Sequence, residues 1–110
     1  MIFRKRVYRI QGREAENFQR FFNQYVYPIQ AKYGAKLTGY WLDESEKEVT
    51  AIWQYASLSH YKEIERHVSA DPLTKRAKEE GIRQGLDLDD LSIEEEFIAQ
   101  HHHEEAQSEV

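Results

Sequence analysis

The chain has 110 residues, enough for one domain with a modest core. A formal net charge of -5 argues against an extended nucleic-acid surface, which needs clustered Lys and Arg, although "FRKRVYR" near the start is locally basic. Cysteine is absent, so disulfide and thiolate chemistry are excluded and a reducing, cytoplasmic setting is expected. No apolar run approaches the roughly 20 residues of a membrane span. The start "MIFRKRVYRI" lacks the apolar core of a signal peptide.

Residues 2–10, "IFRKRVYRI", alternate and are rich in strand formers, so they read as a first strand that Gly12 ends. From Arg13 to Tyr33 the period changes. Ala15, Phe18, Phe21, Phe22, Tyr25, Val26, Ile29 and Tyr33 fall within an arc of about 140° on a helical wheel, and Gly34 is placed to close the helix. Pro28 interrupts this pattern and predicts a kink or break near Tyr25. Residues 36–44 and 47–56 read as two strands joined by a short hairpin.

Ser57 is a candidate N-cap for a second helix, carried by Leu58, Tyr61, Ile64 and Val68. Asp71 and Pro72 form a second helix-start signal, so this region should break near residue 70 and restart, ending by Gly81 or Gly85. Residues 86–99 fit either a strand or a capped helix, and a strand over 91–97 completes the fold. Residues 100–110 have no apolar period and are expected to form a mobile polar tail, leaving a domain over 1–99.

The order β-α-β-β-α-β predicts an α+β, ferredoxin-like protomer with helices on one face of an antiparallel sheet. Such a sheet normally shows clean alternation when its second face is wet. Here both faces carry large apolar groups. In the third strand Val49, Ala51, Trp53 and Tyr55 oppose Ile52 and Ala56; in the second, Leu37 and Trp41 oppose Tyr40 and Leu42. A second copy of the sheet is the simplest cover, which predicts a homodimer.

Segments "RVYRI" (6–10), "YPIQAKYGAKLTGYW" (27–41), "AIWQYAS" (51–57) and "ADP" (70–72) resemble the NIPSNAP family of the dimeric α+β barrel superfamily. The resemblance implies a ferredoxin-like protomer, a dimer and a lumen between the sheets. The wider superfamily includes cofactor-independent monooxygenases, haem-degrading enzymes and isomerases, so an enzyme and a binding module are both open.

Arg6 and Tyr8 share a strand face and together suit a carboxylate, enolate or phenolate; the structural alternative is a bond to a carboxylate such as Glu48 or Glu95. Trp53 and Tyr55 share a face and either wall an aromatic pocket or pack in the core, with Trp41 as a further ligand-wall candidate. His60 is a candidate proton carrier. His60, Glu63 and His67 resemble a metal set, but seven helical residues separate the imidazoles by about 10.5 Å along the axis. No single ion spans that, and a Glu63–His67 surface pair is the better reading. His101, His102 and His103 lie in the tail, which would not hold a defined site. There is no P-loop, dinucleotide fingerprint, GxSxG or HExxH, so no cofactor and no metal is expected. "EVTAIWQY" lacks the glycines of an RNA-stacking strand.

The expected function is a homodimeric small-molecule-binding domain. Any chemistry would be of the cofactor-independent monooxygenase or isomerase type on a small anionic or aromatic substrate. The alternative is a non-catalytic dimerisation module.

Overall fold

The structure, a computed structural model, describes residues 1–11 and 14–99. Gly12 and the tail with His101–His103 lie outside the described residues. Four antiparallel strands form one sheet in the order β2-β3-β1-β4. They are β1 (Ile2–Arg9), β2 (Lys36–Leu42), β3 (Glu48–Tyr55) and β4 (Ser92–Ala99). The helical segments are α1 (Ala15–Phe21), α2 (Tyr27–Lys32), α3 (Leu58–Ala70), α4 (Pro72–Arg83) and a one-turn α5 (Leu88–Leu91), the last not foreseen from the sequence. The fold is the expected α+β, ferredoxin-like one.

The break foreseen near Tyr25 is a π-helical segment, Phe22–Val26, between α1 and α2. Tyr27 donates its N–H to the Phe22 carbonyl, five residues back. Pro28 supplies the cause: it has no N–H for the carbonyl four residues before it, and its ring crowds that carbonyl, so the chain takes a wider turn. Gly34, at φ 106°, ends α2 in a conformation that side chains rarely adopt.

Ser57 caps α3, its Oγ accepting from the His60 N–H at 3.0 Å. Asp71 ends α3 and starts α4: one carboxylate oxygen accepts from the Leu73 N–H at 2.8 Å. The other accepts from the Tyr33 hydroxyl at 2.6 Å and from Lys32 Nζ at 3.0 Å. One buried carboxylate thus ties α2 to the α3–α4 junction. Those donors, Tyr33 first, hold the Asp71 carboxyl down at about 2, against 3.8 ordinarily. A depressed acid contributes stability that is full above its ordinary value and lost as pH falls through the folded value. We expect the melting temperature to fall between pH 4 and pH 2, and Asp71→Asn to flatten that slope. Asp71→Ala should lower the melting temperature at pH 7 by roughly 10 °C, read by circular dichroism.

The core lies between the helices and the inner sheet face. Tyr8, Phe18, Phe22, Trp53, Tyr55 and Ile64 are at most 2% exposed. Phe22 is central, with ring centroids 4.7 Å from Tyr40, 6.0 Å from Trp53 and 6.3 Å from Phe18.

The second strand departs from simple alternation. Leu37 pairs with Trp53 and Gly39 with Ile52, so Thr38 is an extra residue, a β-bulge. The bulge reverses the phase of the strand. Leu37 joins the inner face opposite Trp53, Tyr40 joins it opposite Ala51, and Trp41 is turned outward opposite Thr50. The expectation that Leu37 and Trp41 share a face is therefore corrected. Phe3, Val7, Ile52, Trp41 and Ile98 form a diagonal apolar band across the outer face, with Trp41 50% and Ile98 42% exposed. Gly39 makes room for the band: a Cβ there would stand 3.0 Å from Trp41 Cζ3 and 3.3 Å from Ile52 Cγ1.

Candidate functional site

A cavity of about 410 Å3 lies between the inner sheet face and the helices. Its floor is buried and comes from the sheet: Arg4, Tyr8 and Trp53, with the half-buried Arg6 beside them. Phe21, Val26, Ile29 and Gln30 form one wall from the α1–α2 region. Tyr61, Glu65 and Val68 of α3 form another. Exposed or half-exposed Ser69, Lys78, Asp87 and Asp89 stand at its solvent side. The volume suits a small organic molecule, and the mixture of apolar walls with a few charged groups is that of a ligand site.

Strand geometry sets the floor. Arg4, Arg6 and Tyr8 sit at alternate positions and so share a face. Across the β1–β3 ladder Arg4 pairs with Trp53, Arg6 with Ala51 and Tyr8 with Val49. Small Ala51 leaves space in front of Arg6, between the bulk of Trp53 and Tyr8. The Arg6 guanidinium carbon lies 5.2 Å from the Tyr8 ring centroid, and Nη2 donates to Ser92 Oγ at 3.1 Å. Arg4 lies over the Tyr61 ring at 5.4 Å and faces Glu65 Oε2 at 3.5 Å. Both guanidiniums are thus oriented before any ligand arrives, which reduces the ordering cost of binding an anion.

The structure brings together three of the residues singled out in the sequence: Arg6, Tyr8 and Trp53 all line the cavity. It separates the others. Tyr55 is on the same face but is buried behind, its ring 5.0 Å edge-on to Tyr61. Its hydroxyl is enclosed near Arg4; burial raises its pKa, and the guanidinium offsets this only in part. Trp41 is on the opposite face of the sheet. His60 sits at the start of α3, outside the cavity lining, where its Nδ1 accepts from the Ala56 N–H at 3.1 Å and closes the strand-to-helix corner. His67 stacks on Tyr33 at 5.3 Å. Among the described residues no three His, Asp or Glu side chains converge as metal ligands would. None of the described helices is long and apolar enough to cross a membrane.

Arg4, Glu65 and Gln30 were not anticipated as site residues. Arg4 was within reach of the parity that selected Arg6 and Tyr8. Glu65 lies four residues after Tyr61 and so on the same helix face. Gln30 had no such signal, because the π-helical turn changes the phase of everything that follows it.

The sequence model of the NIPSNAP family matches residues 3–86. The fold is shared with solved structures. One is an uncharacterized NIPSNAP domain protein from Burkholderia xenovorans, 22% identical, covering 90% of this chain and 93% of that one, with a TM-score of 0.72. Another is a NIPSNAP family protein of unknown function from Agrobacterium tumefaciens, also 22% identical, covering 89% and 84%, with a TM-score of 0.68. A comparison with curated proteins finds no match. A family match over most of the folded chain, on the same architecture, leads to one conclusion: the chain belongs to the NIPSNAP family.

Proposed function

We propose that the chain is a homodimeric domain that binds a small anionic or aromatic organic molecule in the cavity between sheet and helices. The observation that carries this reading is the cavity floor, where Arg6 lies beside Tyr8 and Trp53 and opens onto about 410 Å3 of space. A carboxylate or enolate would take the guanidinium fork, and a flat ring would lie along Trp53 and Tyr8. Any chemistry there is proton transfer or cofactor-free oxygen chemistry on the bound molecule. His60, engaged with the backbone at the start of α3 and outside the cavity lining, has no part in this reading.

The location differs from the lumen between two sheets that the resemblance implies. Arg6, Tyr8 and Trp53 face the chain's own helices, and the outer face with Trp41 is left for the second copy. The alternative, a module that only dimerises, uses that outer face and leaves the cavity idle.

A thermal-shift screen of small aryl and alkyl acids separates the two. Binding acids should raise the wild-type melting temperature, and Arg6→Leu should weaken their binding roughly tenfold or more while Tyr8→Phe weakens it less. If no acid stabilises the wild type, or if Arg6→Leu binds the same acids as well, the cavity reading fails and the dimerisation module is preferred.

A further inference from the structure

The polar groups around the cavity are not equally satisfied. The carboxylates and cations on its solvent side reach water, and the floor guanidiniums have partners in the protein. Gln30 differs. Its side-chain oxygen, Oε1, is buried and, among the described residues, accepts no hydrogen bond. Buried carbonyl oxygens are rarely left this way, because desolvation is then uncompensated. Nothing in the packing requires a polar side chain there: Val26 and Ile29, its neighbours on the same wall, are apolar. Gln30 is also held by a specific local device, the π-helical turn and Pro28 that set the phase of α2.

We infer that Gln30 is the specificity-determining residue of the cavity, accepting a hydrogen bond from an O–H or N–H on the ligand. This rests on the cavity reading above and narrows the ligand class. The molecule would be an acid carrying a hydroxyl or amide donor, with its anionic group toward the sheet arginines and its donor toward α2. A site built to pair a ligand hydroxyl rejects the analogue lacking it far more strongly than an apolar pocket rejects a methylene, since the site's own acceptor is then left unpaired.

The test uses the full chain, isothermal titration calorimetry and four probes: phenylacetate and its 2-, 3- and 4-hydroxy isomers. The isomers scan the distance between acid and donor. At least one isomer should bind the wild type roughly tenfold tighter than phenylacetate. Gln30→Met, close in shape and without the acceptor, should abolish that preference and keep phenylacetate within about twofold. It should also fold, with a melting temperature no lower than the wild type. Equal binding of all four probes to the wild type overturns the inference. So does a preference that survives Gln30→Met, as would hold if only water occupied the position. If none of the four binds the wild type, the acid-binding reading falls and the inference falls with it. If the preference is lost in Gln30→Met while Arg6→Leu binds all four unchanged, the role of Gln30 stands and that of Arg6 is overturned.

Discussion

Phe22→Ala should cost roughly 4 kcal/mol of folding free energy. Phe22 is 1% exposed and joins Phe18, Tyr40 and Trp53, which come from three different elements. It also opens the π-helical segment, so a hole there removes packing at the point where the helix is already irregular. A domain of this length has only about 5–15 kcal/mol in total, so roughly a quarter or more of its stability is at stake. The melting temperature should fall by roughly 20 °C. Urea denaturation followed by circular dichroism checks the value, and a loss below about 1 kcal/mol would show that the aromatic cluster relaxes to fill the space.

Ile52→Glu should break the proposed dimer without unfolding the protomer. Ile52 lies mid-strand on the outer face, and its neighbours Trp41 and Gly39 complete the centre of the apolar band. A carboxylate placed there would be comfortable in water and costly once a second sheet covered it. The dissociation constant should rise by roughly a hundredfold or more. Light scattering at micromolar concentration would then give a dimer for the wild type and a monomer for the variant. A parallel readout is available because the chain has two tryptophans and one of them, Trp53, is already buried. In a Trp53→Phe background, emission from Trp41 should shift to the blue as concentration drives association. A monomeric wild type would remove the covered-face argument altogether.

Much of the architecture was legible from the chain because each signal had one strong local cause. The apolar stripe from Phe18 to Ile29, the Ser57 cap and the Asp71–Pro72 restart all stand where the residues placed them. The double-sided apolar sheet was equally readable. Site residues were harder. Arg6, Tyr8 and Trp53 follow from strand parity alone, and parity is reliable in β1 and β3, where the β1–β3 ladder is continuous. It fails in β2, since nothing in "KLTGYW" announces that Thr38 is unpaired. It offers nothing for Gln30, whose direction depends on a backbone irregularity two turns earlier in the helix. His60 drew notice for its chemistry, yet a backbone N–H occupies its Nδ1.

The bulge at Thr38 also bears on how insertions and deletions act in relatives of this chain. A relative one residue shorter at this point, with no bulge, would keep every pairing: the residue after Leu37 would stand opposite Ile52, and the aromatic now at Trp41 would still face outward. A relative of the same length that lost the bulge would instead run in a single phase, turning the aromatic at Trp41 toward the helices and the tyrosine before it toward the outside. A gap of one is thus silent here, whereas an unchanged length without the bulge exchanges a residue of the core for a residue of the surface. Relatives are better compared here by pairing partner, Leu37 with Trp53 and Trp41 with Thr50, than by counting along the chain.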